Sequence, residues 1–220
     1  MADQPAHHPH FSHPSSESSL DPAVLAALLQ VSGLASAFSD ELDARGLRGA
    51  VPASVAPPLV AGSKVIGPAL TLRYLPERST AAQLAASGST GHLGNAALAS
   101  TARKGQVAVI DGGGVTEVSL LGGLAAADAL ASGIAAALVD GAVRDIDEIV
   151  AAGLPVWASA RTPASGRRRM EAVELNGWIG FGGVQVRPGD VAVADDSGVC
   201  FVPPERFAEV AAPVLGNLPA

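Results

Sequence analysis

The spacing of apolar residues changes period along the chain, and each change predicts an element. Asp21-Pro22 sets a capping side chain ahead of a proline suited to the first helical turn, predicting a helix to about Gln30. Leu34, Phe38 and Leu42 recur at helical spacing and predict a second helix stopping near Gly46. Residues 49–62, rich in Pro and Ala, predict a connecting loop. From Lys64 the pattern alternates between strand and helix. Val65 to Tyr74 reads as a strand interrupted by Gly67-Pro68, and Ala81 to Ala86 and Leu93 to Ala102 as Ala-rich helices. Gln106 to Asp111 predicts a buried strand closed by Gly112-Gly113-Gly114, followed by a helix from Val118 to Ala131 ahead of Gly133. Ile134 to Asp140 reads as a strand, Ile146 to Ala152 as a helix and Pro155 to Ala158 as a short strand.

The last third changes character. Val184 to Arg187, Val191 to Ala194 and Val199 to Val202 are short apolar or alternating runs split by the turns Pro188-Gly189-Asp190 and Asp195-Asp196-Ser197-Gly198. They predict a C-terminal β-meander, followed by a short helix from Pro204 to about Leu215. The whole is an α/β pattern: N-terminal helices, a parallel core, then the meander. Residues 21–215 are expected to form one domain, with residues 216–220 a tail. Residues 1–20 carry four of the five histidines (His7, His8, His10, His13) among Pro and Ser, and are expected to be a disordered, His-rich tail.

Composition narrows the function classes. A net charge of −7 with no basic run beyond Arg167-Arg168-Arg169 disfavours nucleic acid as a partner. No stretch approaches the roughly eighteen apolar residues of a membrane span, and no basic-then-apolar leader opens the chain. A soluble, cytoplasmic protein is expected. The two lysines, Lys64 and Lys104, stand at a strand start and beside a turn glycine, which argues against Schiff-base chemistry. The single cysteine, Cys200, lies in an apolar run and reads as a core residue. His92, the one histidine outside the tail, sits beside Gly91 where a surface cap is expected, so a Ser-His-Asp triad lacks a convincing base. The glycines after Asp111 do not complete a dinucleotide fingerprint, and no Gly-Lys-Ser/Thr is present.

One constellation remains. Twenty residues separate Gly123 from Arg144-Asp145, and Glu148 follows after two more. Two carboxylates at a strand end can hold a hard divalent ion, and an adjacent guanidinium can grip a carbonyl or carboxylate. Asp145 and Glu148 are also spaced as a helix capping box, in which both side chains serve backbone amides instead. If the backbone breaks at Gly122-Gly123, the amides of Gly123, Leu124 and Ala125 make a carboxylate cradle at a helix start; otherwise those glycines serve close helix–sheet packing. The strand ends Asp111-Gly112 and Asp140-Gly141 are expected on one sheet edge, where cradle, Arg144, Asp145 and Glu148 would converge on a small 2-oxo acid. Oxygen-only ligands favour Mg²⁺, or Mn²⁺, over zinc.

The segments KVIGPALTLRY (64–74), VIDGGG (109–114), LVDGAVRDIDE (138–148) and VQVRPGDVAVADDSGVCFVP (184–203) resemble the RraA-like family, as does the helix LASAFSDELDARG (34–46). That family holds metal-dependent 4-hydroxy-4-methyl-2-oxoglutarate aldolases and regulators of ribonuclease E activity. The resemblance spans residues 30–205 and implies a swivelling β/β/α-type core, assembled as a homotrimer or hexamer with sites between subunits. It implies Asp145 as metal carboxylate and Glu148 in place of the acid missing at Gly123. It implies Arg144 as catalytic substrate contact, and Gly122, Gly123, Leu124 and Ala125 as the substrate cradle. A neighbouring subunit would add a further acid, for which Asp195 and Asp196 are candidates, although turn roles explain both. The implied activity is a class II-type retro-aldol cleavage to pyruvate, with oxaloacetate decarboxylation through the same enolate. A non-catalytic ring binding a protein partner is the alternative, which the intact Arg144-Asp145-x-x-Glu148 disfavours. A quinone-precursor methyltransferase, a name also attached to such sequences, finds no adenosylmethionine glycine loop.

Overall fold

The computed structural model describes residues 10–11, 20–86, 88 and 93–216. His7, His8, His13, His92 and residues 217–220 lie outside the described residues, so the expectations made for them rest on sequence alone. The order is β1 (His10–Phe11), α1 (Pro22–Leu28), α2 (Leu34–Asp43), β2 (Ala50–Pro52), β3 (Val65–Pro76), α3 (Ala81–Ala86) and α4 (Asn95–Thr101). Then come β4 (Val107–Leu121), α5 (Gly123–Ala131), β5 (Ala136–Val143), α6 (Ile146–Ala152) and β6 (Val156–Arg161). The chain closes with β7 (Met170–Leu175), β8 (Ile179–Phe181), β9 (Val184–Val186), β10 (Val191–Asp195), β11 (Gly198–Val202), a 3₁₀ turn (Pro204–Arg206) and α7 (Phe207–Gly216). None of these helices is long and apolar enough to cross a membrane.

A mixed sheet runs β2-β11-β10-β3-β4-β5-β6. Strands β3 to β6 are parallel neighbours, while β10, β11 and β2 extend the sheet antiparallel. Strand β7 takes the same edge of β3 where β10 leaves off, pairing Leu72 to Pro76, and β1 adds to β7 in parallel. Alternation along β4 explains why its apolar run is continuous. Ala108 and Ile110 face a core closed by Leu98, Ala126, Ala129 and Ile149 of α4, α5 and α6. Val107 and Val109 face a second core with Trp157, Phe181, Val186 and Phe201. A third core packs β10 and β11 against α1, α2 and α7, where Phe38 stacks on Phe207 at 6.1 Å.

Several boundaries differ from the sequence reading. Strand β3 runs unbroken through Gly67-Pro68, because Pro68 stands opposite Val191 at the end of the antiparallel pairing. β2 forms inside the expected 49–62 loop by pairing with β11. Val118 to Leu121 is strand, not helix: after Gly112 to Gly114 the chain rejoins β5, with Val115 opposite Gly141, Ser119 opposite Ala142 and Leu121 opposite Val143. Gly113 and Gly114, at φ +61° and +74°, supply the left-handed backbone that this excursion needs. The expected meander is redistributed, since β9 pairs with β8 rather than with β10.

Asp195, raised above as an acid for a neighbouring site, is 4% exposed and fully engaged. Its Oδ2 accepts from the Ala35 amide at 3.0 Å, capping α2 from another element, and its Oδ1 accepts from Ser197 N at 2.7 Å. Asp196 accepts from the Gly62 amide through both oxygens. Turn and cap roles account for both residues. Asp195→Ala is expected to destabilise the protein by about 2 kcal/mol or more, read as a lower urea midpoint at unchanged slope. A loss under about 0.5 kcal/mol would contradict the capping role.

Candidate functional site

Three parallel strand ends meet in register. Leu121 of β4 stands opposite Val143 of β5, and Val143 opposite Arg161 of β6. The Arg144 amide donates to the Leu121 carbonyl at 3.0 Å, which ties together the two turns that leave β4 and β5. Gly122-Gly123 turns into α5 beside Arg144-Asp145, which turns into α6. The backbone does break at Gly122, and α5 begins at Gly123, as the cradle reading requires, while both glycines also admit a close approach of neighbouring side chains. The first amide bonded within α5 is that of Ala126, which donates to the Gly122 carbonyl at 3.0 Å. The Gly123 amide reaches Asp145 Oδ2 at 3.4 Å, while Leu124 and Ala125 amides find no acceptor among the described residues.

The capping-box alternative is not realised. Asp145 occupies the N-cap position of α6, yet its side chain makes no capping bond. It sits at φ 55°, ψ 49°, a left-handed conformation that aspartate tolerates better than most residues. Its carboxylate turns instead toward the neighbouring strand end, with Oδ2 3.2 Å from Arg144 Nε. Both side chains stay open to solvent, Arg144 at 40% and Asp145 at 35% exposure. Glu148 is exposed and makes no hydrogen bond or ion pair with the described residues.

These side chains crowd both glycines, and Gly123 most. A Cβ on Gly122 would lie 2.9 Å from Asp145 Oδ2 and 3.1 Å from Arg144 Nε. A Cβ on Gly123 would lie 2.5 Å from Glu148 Cβ, with the Glu148 carboxylate Oε2 closer still. Glu148 therefore fills the volume a side chain at position 123 would take. Position 123 can be small with an acid at 148, or carry its own side chain, but not both without rearrangement.

The residues singled out in the sequence, Gly122 to Ala125, Arg144, Asp145 and Glu148, thus come together. The strand ends Asp111 and Asp140 do not join them. They stand opposite each other in register further back along the sheet, and both carboxylates hold the β8–β9 hairpin. Asp111 Oδ2 accepts from Gly180 N at 3.1 Å and pairs with Arg73 Nε at 3.3 Å, and Asp140 Oδ2 accepts from Gly182 N at 3.1 Å. Cys200 is also remote; burial pushes its thiol up to about 12, which keeps it neutral. Arg161, exposed at the end of β6, was not singled out in the sequence, because its register beside Val143 exists only once β5 and β6 pair.

No group of three or more His, Cys, Asp or Glu side chains able to hold a metal occurs among the described residues. The local donor set is two carboxylates. Asp145 Oδ1 and both Glu148 oxygens have no partner among the described residues, and all are oxygen donors near free amides. That set fits an ion such as Mg²⁺, which keeps several waters and takes only one or two protein carboxylates.

Residues 35–201 match the family model RraA-like: Aldolase/RraA. Protein DlpA of Legionella pneumophila is 36% identical over 174 residues, covering 79% of this chain and 26% of that protein. A protein of Albidiferax ferrireducens named "Putative 4-hydroxy-4-methyl-2-oxoglutarate aldolase" is 41% identical over 97 residues, 44% of this chain and 56% of that one. The match thus spans about a quarter of the first relative and about half of the second. Among solved structures, Streptomyces coelicolor RraAS2, described as an unusual member of the RNase ES inhibitor RraA protein family, superposes with a TM-score of 0.76. It is 26% identical, with 91% of this chain and 94% of that chain covered.

Proposed function

This chain belongs to the RraA-like family, and from that premise we propose that it is a divalent-metal-dependent carbon–carbon lyase. Its substrate is 4-hydroxy-4-methyl-2-oxoglutarate or a related 4-hydroxy-2-oxo acid, cleaved to pyruvate, and it decarboxylates oxaloacetate through the same enolate. The observation that carries the reading is the space beside Gly123. The Glu148 carboxylate occupies it, next to an Asp145 turned away from its own helix. A structural cap would need neither feature.

In this reading Asp145 and Glu148 hold a magnesium or manganese ion. Such an ion supplies Lewis-acid stabilisation of negative charge on the substrate's 2-oxo group. The free amides of Leu124 and Ala125, at the positive end of α5, take the substrate's C1 carboxylate. Arg144 donates to the 2-oxo oxygen, held in place by its contact with Asp145. As the C3–C4 bond breaks, its electron pair moves into the C2 carbonyl, and Arg144 stabilises the resulting enolate oxygen. The 4-hydroxyl proton passes to a water at the open side of the site, leaving C4 as a carbonyl, and C3 then takes a proton back from water to give pyruvate. With oxaloacetate the same electron pair is released by loss of CO₂.

Assembly as a homotrimer or hexamer belongs to the same proposal. Leu124, beside the cradle, is 76% exposed in the single chain, and Leu130 and Val150 on α5 and α6 are exposed as well. A neighbouring copy covering them would also exclude water from the open side of the site.

The test is pyruvate release, followed by coupled NADH oxidation, from oxaloacetate and from 4-hydroxy-4-methyl-2-oxoglutarate. Turnover is expected with Mg²⁺ and should fall to background with chelator. Absence of pyruvate from both substrates under every divalent metal would overturn the reading in favour of a partner-binding ring.

A further inference from the structure

The cradle, Arg144 and the two carboxylates account for one end of the substrate. They deal with the C1 carboxylate and the 2-oxo group, whereas 4-hydroxy-4-methyl-2-oxoglutarate and oxaloacetate both carry a second carboxylate. With Arg144 and the ion committed to the C1 and C2 end, a distal carboxylate near Asp145 and Glu148 needs a further cation to offset their negative charge.

Resting on the lyase reading, we propose that Arg161 is that cation and sets the preference of the site for dicarboxylic 2-oxo acids. Its place in the fold carries the argument. Arg161 closes β6 directly opposite Val143, the residue before Arg144. The two arginines therefore start from adjacent parallel strands, about 4.8 Å apart across the sheet and one residue apart along it. The strand end is pinned, because Thr162 N donates to the Val143 carbonyl at 3.0 Å and Thr162 Oγ1 to the Glu117 carbonyl at 3.2 Å. The guanidinium is also uncommitted. Arg45, Arg73, Arg187 and Arg206 are each tied to a carboxylate. Arg161 is exposed and has no hydrogen-bond or ion-pair partner among the described residues. Arg144 is engaged by Asp145, so the two guanidiniums on successive strand ends have different tasks: one at the reacting carbonyl, the other free for a second anion.

The test compares wild type, Arg161→Ala and Arg161→Lys on two aldol substrates. One is 4-hydroxy-4-methyl-2-oxoglutarate; the other is 4-hydroxy-4-methyl-2-oxopentanoate, which has a methyl group where the first has its distal carboxylate. Arg161→Ala is expected to raise KM for the dicarboxylate about 10- to 100-fold, with kcat within about threefold and KM for the monocarboxylate unchanged. Arg161→Lys should recover part of the loss, which a merely structural role at an exposed position would not produce. An unchanged dicarboxylate KM, or an equal rise for both substrates, overturns the assignment while leaving the lyase reading intact. Failure of the lyase reading looks different: the wild type releases no pyruvate from either substrate, and the assignment falls with it.

Discussion

Asp145→Ala is expected to abolish metal-stimulated pyruvate release, by at least about a thousandfold in kcat/KM, while leaving the fold intact. The magnitude reflects the double duty of this carboxylate. It is one of two oxygen-donor side chains available to an ion, whose Lewis-acid contribution is worth several kcal/mol, and each 1.4 kcal/mol is about tenfold. It also holds Arg144 Nε at 3.2 Å, so its loss frees the guanidinium to which the proposal gives the enolate oxygen. The fold should survive for a physical reason. Asp145 makes no capping bond to α6, so its loss leaves mainly the cost of alanine at a left-handed φ of 55°, about 1 kcal/mol, which a folded domain absorbs. Asp145→Asn separates the two duties, since the amide keeps size and left-handed tolerance but loses the negative charge. It should be nearly as inactive as the alanine variant. If Asp145→Ala kept full metal-dependent turnover, the carboxylate would have no part in the chemistry.

The second large effect concerns the pair Gly123 and Glu148. Glu148→Ala should cost at least about a hundredfold in kcat/KM and weaken the dependence on Mg²⁺, because a lone Asp145 is a poor ligand set even for magnesium. Gly123→Asp in the otherwise unchanged protein should also be damaging, since its Cβ would lie 2.5 Å from Glu148 Cβ. Combining the two is expected to restore activity tenfold or more over either single change, measured as kcat/KM with saturating Mg²⁺. The acid then returns to the same volume from the opposite helix. Simple additivity of the two losses would show that the space shared by these residues is structural packing and not a metal-ligand position.

How much of this was legible in the chain depends on the distance over which each feature is decided. The capping signal Asp21-Pro22 is local, and the Asp21 side chain does accept from Ala23 N at 2.8 Å. The buried strand starting near Gln106 was legible because four successive apolar residues admit few other fates. Val118 to Leu121 was misread as helix, because an apolar run with Ser119 and flanking glycines suits either state. What decides it is pairing with Gly141 to Val143, a partner more than twenty residues away. The Gly123-to-Glu148 constellation was visible as spacing, but spacing left cap and metal site both open. The missing capping bond of Asp145 sets the cap aside, and the contact between Gly123 and Glu148 supports the proposed metal site. Asp111 and Asp140 show the opposite error. Their strand-end positions looked site-like, yet the hairpin they hold, β8–β9, gave no clear signal of its own at Ile179 to Phe181. Arg161 carried no signal at all in one dimension, since its relation to Arg144 is a register.

The central claim, that Asp145, Glu148 and Arg144 stabilise a pyruvate enolate with a divalent ion, can be tested without knowing the physiological substrate. The measurement is exchange of the pyruvate methyl protons in D₂O, followed by proton NMR. With wild type and Mg²⁺ the methyl signal is expected to decay well above the buffer rate, and to persist with chelator or with Asp145→Ala. No exchange above buffer with Mg²⁺ or Mn²⁺ would contradict an enolate-stabilising site in this protein.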